Sequence, residues 1–425
     1  MKLTENFEYV QFFFFTLGLR KQKADSFVLK NANVIPMTDA KYEDKVIAQL
    51  SVIIRNGVID AVGPFEEMSI PGGMHIIDAS GKFLLPGFSD MHIHYSDLDD
   101  LKLYIVNGIT RVRVMTGYTW NLITRKLIQK RKLPGPALIS AGPLLDGEGS
   151  VWPFARIIKT LSDARKAVRK TKRKGYSAVK VYDRLKVDVF NEIMKQAKKE
   201  RLPVVGHVPW NVGLLNAEQA GMFSIEHLTG YALEGDEQKD QIALTLDKGV
   251  WNCPTLIVLY NYENLERIKT EAPPEGMQYL SDAEIEWWRE AQPWNMEFEK
   301  RKVLLLNLHR KGAKLVSGTD AGNPYVVPGF SLHDEFQYMH EAGLTPYEIL
   351  KCSTVNAADM LGEDTVSGSI EVGKKADLVL LEKNPLEDIK NTRTIAGVVS
   401  NGLWFSKEDL AGMLSGILDK KIKTK

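Results

Sequence analysis

The sequence predicts an α/β chain built on a (β/α)8 barrel whose ends are β-rich. Three observations lead there. Eight short apolar runs alternate with longer amphipathic segments over about 290 residues, the number and size of a (β/α)8 barrel. Short β-type runs broken by Asn-Gly turns occur near both ends of the chain and not between them. A doubly wound open sheet is the alternative, but no Gly-rich fingerprint follows an early strand.

In chain order, residues 1–24 read as an N-terminal tail. Its apolar stretch, Val10–Leu19 (VQFFFFTLGL), falls short of the roughly 18 residues that cross a bilayer. Glu5 and Glu8 precede it and no A-x-A site follows. It reads as a tail or docking segment, with a degenerate export signal or an upstream start as alternatives. Residues 25–82 carry SFVLKNANVI, AQLSVIIRNGVIDAVG and MHIIDAS, with a turn at Asn56-Gly57. The eight runs are Phe83–Met91, Thr110–Met115, Ala137–Leu145, Ala178–Tyr182, Pro203–Val208, Ser224–Leu228, Trp251–Ile257 and Lys314–Asp320, within a barrel spanning 83–369. The long connection 259–302, carrying Trp287, Trp288 and Trp294, is a candidate lid or a helical excursion packed on the barrel. Thr345-Pro346-Tyr347-Glu348 predicts a helix start with a capping box. The β texture returns over 370–410, and 411–425 reads as a C-terminal tail.

Composition narrows the partners. Lys and Arg (55) balance Asp and Glu (54) for a formal charge of +1, which argues against nucleic acid or an anionic membrane. No transmembrane segment and no convincing export signal are read, so a cytoplasmic location is expected. Cys253 and Cys352 are too few for a disulfide framework or a thiolate zinc site. With only eight histidines in 425 residues, their clustering carries information.

The first run ends Asp90-Met91-His92-Ile93-His94, and alternation along a strand puts His92 and His94 on one face. By itself a His-x-His pair is as often structural as metal-binding. Later strand ends add His207 in PVVGHV, His227 in SIEHL and Asp320 in KLVSGTD. Lys180 sits inside the apolar AVKVY. Desolvation favours its neutral amine, which reacts with carbon dioxide to a carbamate able to bridge two cations. Asp90 shares the face of the two histidines and is expected to support them, whereas Glu226 is expected to point into the helical layer. His75, His309, His333 and His340 are read as structural.

In these pieces, together with PGFSDMHIH, SGTDAG and GSIEVGKKADLVLL, the chain resembles the amidohydrolase superfamily over nearly its whole length. It is most similar to the branch of Xaa-Pro dipeptidases (prolidases) and imidazolonepropionase-like proteins. The resemblance implies that the two chain ends form a composite β-sandwich. It implies two divalent ions, with zinc the expected metal: His92, His94 and Asp320 on one, His207 and His227 on the other, and carboxylated Lys180 between them. It implies a metal-bridging hydroxide that hydrolyses a non-terminal or cyclic amide, an Xaa-Pro dipeptide or an N-acyl amino acid among them. Asp320 would shuttle the proton, and Tyr231 would bind the carbonyl oxygen. The expected partner is a small or dipeptide-like molecule, and large barrel hydrolases commonly form homo-oligomers.

Two departures qualify this. Deaminases and imidazolonepropionases place a Glu where Trp210 stands and lack the bridging lysine. In the third loop, GPLLDGEGSVWP, Asp146, Glu148 and Trp152 replace a Gly-rich stretch with a His; acidic side chains there would favour a cationic substrate. A lactonase or organophosphate esterase would use the same ligands, and a non-catalytic metal-binding barrel is the remaining class.

Overall fold

The computed structural model describes residues 25–38, 45–271 and 273–423; the N-terminal tail or docking segment lies outside them. Each apolar run overlaps a barrel strand: Phe88–Ile93, Ile109–Val114, Ala137–Ser140, Val179–Val181, Val204–Gly206, Ser224–Glu226, Trp251–Cys253 and Lys314–Leu315. All neighbours pair in parallel, as strands linked by helical crossovers must. The third strand breaks at Gly142-Pro143 and resumes as Leu144–Asp146, which pairs with the fourth. Ser177 N–H donates to Ser140 O (2.9 Å) across that seam. At the other seam Met91 N–H donates to Ser317 O (2.9 Å) and His94 N–H to Ala321 O (2.7 Å), so the eighth strand returns to the first and the ring closes.

The first apolar run turns out to be two strands. Phe83–Pro86 pairs antiparallel with Leu378–Leu381 of the C-terminal segment, and only Phe88–Ile93 enters the barrel. Between them Gly87 lies against Thr110, where a Cβ would come within 2.3 Å of its side chain. Strands from both chain ends join one eight-stranded sheet with an unbroken hydrogen-bonding path. One face of it encloses a core of Phe27, Leu29, Val52, Leu84, Leu378 and Leu380. The other contributes Leu85, Val379 and Val398 to the barrel core. Successive side chains along each strand point to opposite faces, so one sheet serves two cores.

The connection between the seventh and eighth strands is helical, over Leu256–Glu263, Leu265–Thr270 and Asp282–Arg289. Trp288 is fully buried against Leu265, Tyr325 and Phe330, which anchors the excursion, whereas Trp294 is 63% exposed. Residues 411–423, expected as a tail, continue a helix, Lys407–Lys423, whose Leu410 and Ile417 are buried. No described helix is long and apolar enough to cross a membrane.

The helix Pro346–Ser353 starts as its sequence predicts. Thr345 Oγ1 accepts from Glu348 N–H (3.3 Å), and the Glu348 carboxylate accepts from Thr345 N–H (2.8 Å). Thr345→Ala should lower the unfolding free energy by about 1 kcal/mol, read as a lower urea midpoint, and Thr345→Ser should retain most of it.

Candidate metal centre

The C-terminal ends of the barrel strands bring four of the predicted residues into direct contact. Asp320 Oδ1 lies 3.0 Å from His94 Nε2 and 3.3 Å from His92 Nε2, and Asp320 Oδ2 lies 3.8 Å from His227 Nε2. The His207 ring packs edge-on against His227, with centroids 4.8 Å apart. Lys180 is 2% exposed on the fourth strand. Its stem passes so close to Gly206 on the fifth strand that a Cβ there would come within 3.0 Å of Lys180 Cδ. The charges of Glu226 and Asp320 reach it, but burial prevails and holds its ammonium below the usual lysine range.

Three histidines share one arrangement. His92 Nδ1 meets Glu226 Oε2 (2.9 Å), His207 Nδ1 meets Asp183 Oδ1 (2.8 Å) and His227 Nδ1 meets Thr255 Oγ1 (2.6 Å). The Thr255 hydroxyl donates to Pro254 O, so its oxygen is an acceptor toward His227. Each Nδ1 therefore carries the proton, and each Nε2 presents a lone pair. Burial pushes His92 down to about 4 and His227 well below its ordinary value, so both are neutral at pH 7. Burial raises the Asp320 carboxyl, and positive charge at His92 and His227 holds it well below the carboxylate range; with those imidazoles neutral, a bound cation would supply that charge.

This donor set fits a divalent ion. Ligand atoms of His92, His227 and Asp320 all lie within 4.8 Å of one another. Asp320 Oδ1 is buried and makes no hydrogen bond, as expected of an oxygen reserved for a cation. A second group of His92, Glu226 and Cys253 is equally close, but it is not a metal site. Glu226 is already committed to cationic partners, and burial keeps the Cys253 thiol protonated.

Backbone conformation aims these side chains. His227 (φ 59°), Leu228 (φ 53°), Thr255 (φ 49°) and Asp320 (φ 62°) are left-handed, a region non-glycine residues avoid unless tertiary contacts impose it. Arg301 imposes it at His227 and Leu228, donating to both carbonyls at 2.8 and 3.0 Å. Glu335 accepts from Ile257 N–H (2.7 Å), fixing the helix start beside Thr255.

The left-handed turn also corrects the expectation for Glu226. Alternation was expected to send it into the helical layer; instead it lies fully buried inside the barrel. It accepts from Arg113 (2.9 Å), Ser224 (2.6 Å) and His92. Strict alternation ends at Glu226, and the φ of His227 brings both neighbours to one side. The signal in the sequence was RVRV in the second strand, since arginines within a buried strand need a buried acid. Arg301, Thr255 and Asp183 carry no comparable signal. Asp90 is buried as expected, accepting from Thr319 Oγ1 (2.6 Å) and from His92 N–H (3.3 Å).

Tyr231 does not join the cluster. Its hydroxyl is buried behind the barrel, bonded to Thr245 Oγ1 (2.7 Å) and donating to Asn252 Oδ1 (3.0 Å). The acidic third loop is also occupied elsewhere. Asp146 Oδ1 accepts from Gly147 and Arg184 N–H, and Glu148 pairs with Lys159. The rim is aromatic instead. An unbroken series of ring contacts runs Tyr95–Trp120–Tyr118–Phe154–Trp152. Trp152 donates to the Tyr182 hydroxyl (2.9 Å), and the Tyr182 ring lies 4.0 Å from that of His207. Outside the cluster, His333, His340 and His309 bond Thr392, Leu344 O and Glu348.

Residues 83–404 match the family described as "Amidohydrolase family". Ochratoxinase from Aspergillus niger is 25% identical over 374 residues, covering 72% of this chain and 72% of that protein. The solved structure of bottromycin amidohydrolase is similar with a TM-score of 0.75 at 27% identity, covering 94% of this chain and 91% of its own. A structure of an Xaa-Pro dipeptidase has a TM-score of 0.71 at 20% identity, covering 90% and 100%, a likeness of fold.

Glu226→Gln should weaken divalent-metal affinity by about 10–100-fold, measured by equilibrium dialysis, because His92 loses the acceptor that orients it. Unchanged affinity would mean that Glu226 serves only to neutralise Arg113.

Proposed function

The chain belongs to the amidohydrolase family, and from that premise we propose that it is a binuclear metal-dependent hydrolase of an amide or peptide-like C–N bond. The observation that carries this reading is the convergence of His92, His227 and Asp320 donor atoms within 4.8 Å, around a buried Asp320 oxygen that has no hydrogen bond. His92, His94 and Asp320 would hold one ion, and His207 and His227 the other. Divalent ions held there, zinc among them, supply Lewis acidity that polarises a carbonyl and makes water nucleophilic near neutral pH.

The chain's own residues do the rest. Burial lowers the Lys180 ammonium below the usual lysine range, which favours the free amine. Its nitrogen attacks carbon dioxide, a C–N bond forms, one proton leaves to solvent, and the resulting carbamate carries two oxygens toward the histidines. Asp320, ionised and close to both His92 and His94, takes the proton of the attacking water and returns it to the leaving nitrogen. Glu226, Asp183 and Thr255 hold the imidazoles in register without touching substrate.

The aromatic rim favours a substrate with a flat apolar arm. Tyr118 and Phe154 are 36% and 37% exposed at the barrel mouth, and Trp152 links them to Tyr182 beside His207. A planar group would cover these faces.

A panel of N-acyl amino acids, Xaa-Pro dipeptides, lactones and phosphotriesters, assayed on metal-replete protein prepared in bicarbonate, tests the reaction. Hydrolysis of lactones or phosphotriesters in preference to every amide would overturn the C–N assignment. Lys180→Ala should lose most of its bound metal, with partial recovery in a short carboxylic acid; normal metal content would remove the carbamate. For an aromatic amide, Trp152→Ala should raise KM by roughly 3–10-fold with kcat little changed. An equal effect on an aliphatic amide would count against the aromatic subsite.

A further inference from the structure

The connection between the seventh and eighth strands does more than pack on the barrel. Its first helix, Leu256–Glu263, begins directly after Thr255, whose hydroxyl stands behind His227. Glu335 fixes the start of that helix, and Asn261 Nδ2 donates to Tyr325 O (2.8 Å) in the loop after the eighth strand. Tyr262 is the next residue. It is half-buried, and its hydroxyl donates to Asn323 Oδ1 (3.4 Å) in the same loop. Asn323 Nδ2 in turn donates to the backbone carbonyl of Asp320 (3.0 Å). A phenol from the connection thus reaches the flank of the cluster. Burial, and then the charge of Asp320, push it above the ordinary tyrosine range, so it remains a donor at neutral pH.

The hydrogen bond is slack, but the ring is firmly placed. Bonds between a hydroxyl and an oxygen centre near about 2.7–2.8 Å in proteins. Tyr231 meets that value, with Oη 2.7 Å from Thr245 Oγ1. At 3.4 Å the Tyr262 hydroxyl is barely engaged, so turning it to a ligand costs little. Trp294 N–H donates to Tyr262 O (3.1 Å), and the two rings lie with centroids 6.4 Å apart. Glu263 accepts from Met296 N–H (3.1 Å) and Phe298 N–H (3.0 Å), which ties the returning segment to the helix.

Order around the ring gives this hydroxyl a place relative to the aromatic rim. The seventh and eighth strands stand across the barrel from the third and fourth, after which Trp152, Phe154 and Tyr182 follow in the chain. The mouth therefore has an aromatic wall and, across from it, a wall that presents a hydrogen-bond donor. Asp320 belongs to the second wall. In the hydrolase reading Asp320 returns a proton to the leaving nitrogen. The amine half of a substrate then lies on the side of Tyr262, and the acyl half lies toward the aromatic wall.

We propose that Tyr262 binds the amine half of the substrate, its hydroxyl donating to the oxygen of a carbonyl or carboxylate group attached one carbon from the scissile nitrogen. This rests on the hydrolase reading of the metal centre and narrows it. The substrate class is an amide formed on an amino acid or a peptide, not on a simple amine. On binding, the hydroxyl gives up its long bond to Asn323 and gains a shorter one. Because the donor is uncharged, it serves a free carboxylate and a carboxamide alike.

The test compares metal-replete wild-type chain and Tyr262→Phe on three amides with one acyl group: benzoylglycine, benzoylglycinamide and N-ethylbenzamide. The first two carry the acceptor oxygen and the third lacks it. Tyr262→Phe should lose about tenfold or more in kcat/KM on the first two and change by less than about twofold on the third. The loss should fall mainly on KM, because the hydroxyl touches an arm that does not react. Bound metal and the thermal midpoint should match the wild type, which separates this contact from a role in folding. Equal losses on all three amides, or none on any, would overturn the subsite while leaving the hydrolase reading intact. A wild-type chain that cleaves none of the three would overturn both.

Discussion

Glu226 accepts hydrogen bonds from Arg113, Ser224 and His92 in a barrel interior closed to water, and the rest of the site is built around that carboxylate. Arg113 inside a strand would be prohibitive without an acid beside it, and Glu226 would be equally so without Arg113. Their pairing leaves His92 in contact with a carboxylate on its Nδ1 side. The ring is thereby held in one tautomer and one orientation, with Nε2 turned toward Asp320. His207 and His227 repeat the device with Asp183 and Thr255. The candidate metal centre thus gathers four imidazoles, three of them fixed from behind, around one carboxylate and one buried lysine.

Burial has opposite effects on these groups, and the site uses both. It lowers His92 and His227 far enough that each offers a lone pair at pH 7, and it moves the Lys180 ammonium below the usual lysine range. It would also neutralise Asp320, whose carboxyl stays ionised only with positive charge beside it, a charge that a bound cation would supply. Neutral nitrogen donors and one anionic oxygen are what a divalent cation requires, and the same desolvation would strengthen its hold. The strained backbone at His227, Thr255 and Asp320 belongs to this design. Arg301 and Glu335 supply the contacts that sustain it from outside the chemistry.

Chemistry-bearing side chains and the aromatic rim occupy the C-terminal strand ends. The sheet made from both termini packs on the barrel through Leu85, Val379 and Val398 and meets its opposite end, where Asn401 Nδ2 donates to Gly135 O (3.0 Å).

How much of this was legible in the sequence depended on the range of the interaction. The eight strands were legible because an apolar run between amphipathic helices is a local pattern. The capping box at Thr345 was legible because all its atoms lie within one turn. His92, His94, His227 and Asp320 were legible as strand-end residues, and the fold brings them together. Glu226 was misread because period-2 alternation holds only while the backbone stays extended, and His227 leaves that region under a contact from Arg301, 74 positions away. Tyr231 was misread because its distance from His227 along the chain carried no information about which side of the strand its loop would follow. The sequence by itself determined the eight barrel strands, one capped helix start and the donor types. Only the tertiary structure decided which face each donor turned to and what held it there, because those depend on contacts between residues far apart in the chain.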